Sequence, residues 1–95
     1  MKIMIKSNFV LPGLEKTDSL DFDQSEMTLR AFLEKLSRMT TSRLEIIERD
    51  TLQVNPEDWE IEINGRLYQV FNKALDHTLH DGDTVDITIM PICGG

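Results

Sequence analysis

The residues whose types and spacing could do chemistry stand together at the end of the chain. Leu79 to Gly95 read L-H-D-G-D-T-V-D-I-T-I-M-P-I-C-G-G. Gly94 and Gly95 have no Cβ, so this pair can enter a channel too narrow for other residues and take backbone angles that others avoid. With Gly95 as the terminus, the chain is expected to present a carboxylate on a narrow, flexible tether. That carboxylate is ionised at neutral pH and is a poor electrophile. A second protein would have to activate it with ATP, as an acyl-adenylate, before a sulfur or nitrogen nucleophile could take the acyl group. The competing reading is a frayed terminus, since termini and glycines are commonly disordered.

Two other groups invite a chemical reading. Cys93 lies two residues before Gly95, but nothing near it in sequence supplies the base or positive charge that makes a thiolate, so it reads as a small tolerated residue. The run Asp76-His77-Thr78-Leu79-His80-Asp81-Gly82-Asp83 holds two histidines and three aspartates. Its spacing matches neither a zinc nor a calcium pattern, and Gly82 reads as a turn residue; no metal is expected. There is no nucleophile elbow, phosphate loop or His-activated thiol. The chain is therefore expected not to be an enzyme by itself.

The elements that must position the tail follow from periodicity. Val85, Ile87 and Ile89 alternate with Asp86 and Thr88, which predicts a half-buried last strand after a turn at Asp81-Gly82-Asp83. Pro91 ends it, having no N–H to donate. Met1 to Lys6 alternates likewise, with Ile3 and Ile5 inward, and Ser19 to Asp23 predicts a second strand carrying Leu20 and Phe22. Pro12-Gly13 marks the loop between them. Thr28 has the character of a helix N-cap, with Met27 and Phe32 as a hydrophobic staple. Leu29, Phe32, Leu33 and Leu36 form one buried stripe, predicting a helix over 29–39. Ser42 and Glu45 fit a capping box and Glu45 and Arg49 an i, i+4 pair, so a short second helix is expected near 43–49, with a strand through Leu44 and Ile46 as the rival. Leu52 and Val54 are expected to touch the core from a loop that Asn55-Pro56 closes. Asn64-Gly65 predicts a two-residue hairpin turn pairing Ile63 with Arg66, Glu62 with Leu67 and Ile61 with Tyr68. Val70, Phe71 and Leu75 are expected to pack in the connection to the last strand. There is no internal repeat, low-complexity tract or linker.

The ending L-x-D-G-D-x-V-x-I, then Pro91, two residues and Gly94-Gly95, resembles that of the MoaD/ThiS family of sulfur-carrier proteins, closest to the molybdopterin synthase small subunit. In that subfamily the tail usually reads Pro-Pro-Val-Ser-Gly-Gly; here it is Met90-Pro91-Ile92-Cys93-Gly94-Gly95, with one proline and the serine lost. The order strand, strand, helix, strands suits the same family. The resemblance implies an α+β, β-grasp (ubiquitin-like) fold with a mixed sheet of four to five strands on one main helix, one domain over 1–95, and a tail over 91–95. It implies that Gly95, presented by Gly94, is adenylated and thiocarboxylated. No bound cofactor is implied; ATP is used by the activating partner, a ubiquitin-activating-type adenylyltransferase. A persulfide donates the sulfur, and an acceptor enzyme such as the molybdopterin synthase large subunit receives it, for molybdenum or tungsten cofactor biosynthesis. The alternatives are a protein modifier conjugated through Gly95, a carrier for thiamine thiazole or tRNA thiolation, or an interaction domain with an incidental Gly-Gly.

Composition narrows the partners. Ninety-five residues allow one modest core, and 40% hydrophobic with 28% charged is ordinary for a globular chain. Ten Lys and Arg against 17 Asp and Glu give a net charge of -7, which repels nucleic-acid phosphates and anionic lipid. One cysteine suits a reducing compartment, and Lys6 breaks the early apolar run, so no signal peptide is read; a cytoplasmic protein is expected. The partner-binding residues are expected to be Leu67, Met90, Pro91, Ile92 and Cys93. Leu67, Met4 and Thr88 are expected to share the outer sheet face as an apolar centre, ringed by Glu60, Glu62 and Asp86.

Overall fold

The computed structural model describes residues 1–9, 11, 13–40 and 45–90. Strands β1 (Lys2–Ser7) and β2 (Ser19–Asp21) form the first hairpin, antiparallel, with Ile3 opposite Leu20. β2 stops at Asp21, two residues earlier than its alternation suggests, and Phe22 is half-buried with its ring edge-on to Phe32 at 5.9 Å. A two-residue strand β3 (Met27–Thr28) leads into helix α1 (Leu29–Met39). The Thr28 hydroxyl accepts the Ala31 N–H at 3.1 Å, satisfying one of the donors that a helix start leaves free. Leu29, Phe32, Leu33 and Leu36 are all buried, as the stripe requires.

β4 (Trp59–Ile63) and β5 (Arg66–Leu67) meet through Asn64 and Gly65, both at positive φ. Ile63 faces Arg66 and Glu62 faces Leu67, the register that the two-residue turn dictates. The expected third pair is not made: Tyr68 enters a 3-10 turn (Tyr68–Val70), which buries its ring by leaving the ladder. A second 3-10 turn spans Ala74–Asp76, and β6 (Thr78–Leu79) pairs with β3 in a separate two-stranded sheet absent from the sequence reading. β7 (Thr84–Ile89) is the last strand.

The main sheet runs β2-β1-β7-β4-β5. β7 lies parallel to β1 and antiparallel to β4, so the sheet is mixed and its last strand is central. Ile3, Ile5, Trp59, Ile61, Ile63, Val85 and Ile87 cover one face and share a core with the α1 stripe. A mixed sheet wrapped on one helix, with the first and last strands parallel at its centre, is the β-grasp arrangement.

Four further expectations change. Residues 45–49 are not helical; Ile47 bridges Val54, and the chain reverses between them, with the Glu48 N–H bonded to the Gln53 carbonyl at 2.9 Å. That reversal buries Ile46, Ile47 and Val54 together, which no short helix on 43–49 would do. The Glu45–Arg49 pair still forms, at 3.8 Å, without the helix. Ser42 and Leu44 fall outside the described residues. Leu52 is 55% exposed and sits at φ 56° at the tip of this loop, so it does not reach the core as Val54 does. Val70, at the end of the 3-10 turn, is 64% exposed, whereas Leu75 is buried. Ile89 is 43% exposed because it lies at the end of β7, where β1 has already stopped pairing.

Candidate functional site

The site reads from the D-G-D turn, through β7, to the Met90 N–H, the last described backbone group held by the sheet. Gly82 sits at φ 88°, which a side chain would strain. Around it each carboxylate has its own task. Asp81 Oδ1 accepts the Lys2 N–H at 2.7 Å, tying the turn to β1. Asp83 Oδ2 accepts the His80 N–H at 2.8 Å and its Oδ1 accepts from Asn64 Nδ2 at 3.1 Å. Asn64 Oδ1 in turn accepts the Thr84 N–H at 2.9 Å, so the hairpin turn and the start of β7 are stitched together. Asp76 pairs with Arg30 at 3.3 Å, His80 with Glu26 at 3.2 Å, and the His77 ring lies 4.3 Å from that of Phe71. Among the described residues no cluster of His, Cys, Asp and Glu is arranged to hold a metal.

At its other end β7 is held from both sides. Ile89 stands opposite Trp59, and the next N–H, that of Met90, donates to the Asp58 carbonyl at 2.8 Å. Asp58 is placed by a turn in which Asn55 Oδ1 accepts the Glu57 N–H at 2.9 Å and the Asn55 carbonyl accepts from Asp58 and Trp59. On the β1 side, Asn8 Oδ1 accepts the Ile89 N–H at 2.9 Å, and Asn8 Nδ2 donates to the Ile89 carbonyl at 3.2 Å. Phe9 packs its ring on Trp59 at 5.8 Å beside this clamp. Met90 is half-buried; Pro91, Ile92, Cys93, Gly94 and Gly95 lie outside the described residues.

The outer face of the sheet differs from the expected apolar centre. Register puts Lys6, Asp86, Glu62 and Leu67 in one row across β1, β7, β4 and β5. Met4 faces Thr84, and Glu60 faces Thr88, in the rows on either side. The centre is therefore acidic. Leu67, 39% exposed, lies on the edge strand, and Met4 lies three strands away from it. The pattern of alternation assigned each side chain to this face; only the strand order shows that Glu62 and Asp86 are direct neighbours. Below Leu67, burial holds the Tyr68 phenol above its ordinary pKa, opposed by the charge of Arg30.

Sequence reasoning missed Asn8 as part of this site, and it missed the bonds that Asn64 and Asp81, read only as turn residues, make to Thr84 and Lys2. Their bonding partners are 81, 20 and 79 residues away, so no local pattern marks them.

Among solved structures, the chain superposes on Urm1 from Trypanosoma brucei with a TM-score of 0.69 at 22% identity, covering 98% of this chain and 95% of that one. It superposes on SAMP1 from Haloferax volcanii with a TM-score of 0.68 at 18% identity, covering 100% of both. The HVO 2177 protein of Haloferax volcanii gives 0.73 at 18% identity, covering 99% of this chain and 87% of that one. At these identities the likeness is one of fold: the chain has a ubiquitin-like β-grasp fold. No family model and no curated protein matches the sequence. No helix among the described residues is long and apolar enough to cross a membrane.

Proposed function

We propose that this chain is a ubiquitin-like sulfur carrier, a protein co-substrate rather than an enzyme, whose reactive group is the Gly95 carboxylate. The observation that carries the reading is the end of β7. A strand at the centre of a β-grasp sheet is clamped to its last rung, and six residues ending in Gly94-Gly95 follow it. A rigid body that holds a narrow tail by its base is what a partner enzyme needs in order to dock one and reach the other.

The chemistry balances as follows. An adenylyltransferase of the ubiquitin-activating type joins the Gly95 carboxylate to the α-phosphorus of ATP, releasing pyrophosphate. The terminal sulfur of a persulfide attacks the acyl carbon and AMP leaves, giving an acyl disulfide. A second thiol splits that S–S bond, becoming part of a disulfide and leaving the thiocarboxylate on Gly95. By the resemblance of the tail, the acceptor is the large subunit of molybdopterin synthase, which moves the sulfur onto a pterin precursor. Met90, Pro91, Ile92 and Cys93 would line the channel walls of the partner, with Leu67 at the margin of the docked face.

Intact-mass spectrometry of the protein from its own cells tests this. The expected result is Gly95 as the mature C-terminus with a fraction carrying one oxygen replaced by sulfur. Branched Gly-Gly on target lysines instead would replace the carrier with a protein modifier. An unmodified terminus under sulfur demand, or undiminished sulfur transfer after deletion of Gly95, would refute the proposal.

A further inference from the structure

We infer that Asn8 is a positioning residue for the chemistry at Gly95: its side-chain amide supplies the last rung of β7 and so fixes where the tail begins. The role in catalysis rests on the carrier reading above; the clamp itself does not.

The register explains why an amide is needed there. Trp59 and Ile89 are opposite one another, and the bond at that end of the pair runs from the Met90 N–H to Asp58. In an antiparallel ladder that alternation turns the N–H and C=O of Ile89 away from β4, toward the β1 side. But β1 makes its last pairing at Ser7 opposite Ile87. Asn8 then leaves the strand and offers its side chain, one carbonyl and one NH2, to the Ile89 N–H and C=O at 2.9 and 3.2 Å. A carboxamide carries the same acceptor and donor as a peptide group, so it stands in for the missing rung. Asn8 is exposed, so this pairing is not forced by burial.

The consequence is a fixed starting point. Pro91 has no N–H, so among the described residues Met90 is the last that donates to the ladder from this end. Five residues remain, and a fully extended chain of that length spans at most about 18 Å. Without Asn8 both polar groups of Ile89 go to water and Met90 is left with one bond at an open end. The backbone at Ile89 and Met90 is then no longer fixed in direction. Docking of the sheet face is unaffected. What falls is the share of docked complexes in which the carboxylate stands in line with the ATP α-phosphorus.

The test uses the full chain with Asn8→Ala and Asn8→Asp. Amide hydrogen exchange is read at Ile87, Ile89 and Met90 by NMR. ATP–pyrophosphate exchange is measured with a ubiquitin-activating-type adenylyltransferase from the same cells. Asn8→Ala is expected to speed exchange at Ile89 about tenfold and leave Ile87 unchanged, as local opening at a strand end would. Adenylation kcat is expected to fall about fivefold with KM within about twofold, the signature of misplacement rather than lost docking. Asn8→Asp keeps the acceptor for the Ile89 N–H, loses the donor and sets a carboxylate oxygen against the Ile89 carbonyl, so both effects should be intermediate. Unchanged Ile89 exchange in Asn8→Ala would overturn the clamp. Faster Ile89 exchange with unchanged kcat, or a loss confined to KM, would overturn the positioning role. A wild-type chain that is not adenylated at all would sink the carrier reading and with it the role in catalysis, while the exchange rates would still decide the clamp.

Discussion

Glu62→Gln should make the protein more stable and a worse partner. Glu62 and Asp86 are directly opposite on the outer face, in a row where Lys6 is the only cation and faces Asp86 from the other side. Like charges directly opposite on neighbouring strands destabilise a sheet by roughly 0.2–1 kcal/mol. Removing the Glu62 charge leaves Asp86 with Lys6 and relieves that repulsion. A gain of about 0.5 kcal/mol in a domain of this size raises Tm by about 2–4 °C. The gain should shrink toward zero near 1 M NaCl, where the Debye length is about 3 Å. If the acidic centre meets Lys or Arg on the activating or acceptor enzyme, the same substitution lowers the association rate, and more so at low salt. Thermal melts at low and high salt, with stopped-flow association measured on the same samples, separate the two effects. No stabilisation at low salt would refute the placement of Glu62 beside Asp86. Stabilisation with an unchanged, salt-insensitive association rate would refute the docking role of this face.

Three further outcomes are expected. Cys93→Ser should keep sulfur transfer near the wild-type level in a reconstituted assay, since in the proposed function the carboxylate and not the thiol carries the sulfur; a large loss would make the thiol a participant. Leu67→Arg should weaken binding to the partner enzymes by on the order of 1 kcal/mol, less than a central anchor because Leu67 lies on the edge strand, with Tm little changed; calorimetry showing equal affinity would remove Leu67 from the interface. Burial raises the Tyr68 pKa, so the folded state favours the neutral phenol. Its contribution is fully present below the unfolded value near 10 and is lost as pH rises through the raised folded value. Denaturant melts should thus show stability falling above about pH 10, and Tyr68→Phe should flatten that fall; an identical alkaline slope in the variant would refute it.

The chain's own residues determined the parts of this protein that are local. Thr28 and the Leu29-Phe32-Leu33-Leu36 stripe specify α1 because cap and periodicity act within a few residues. Asn64-Gly65 specifies the β4–β5 register because a two-residue turn leaves no choice of pairing. The role proposed for Gly94 and Gly95 after Pro91 is also read from residue type alone, since a missing Cβ and a missing N–H are properties of the residues. Tertiary structure decided what depends on which strands become neighbours. Residues 45–49 follow the bridge from Ile47 to Val54 rather than their capping signals, because burying three side chains outweighs a local helix preference. Alternation could say that Glu62 and Asp86 face outward, but only the antiparallel pairing of β4 with β7 makes them opposite. Asn8 and Ile89 meet across 81 residues because β1 stops one rung before β7 does, and no pattern along the chain records where two distant strands will end beside each other.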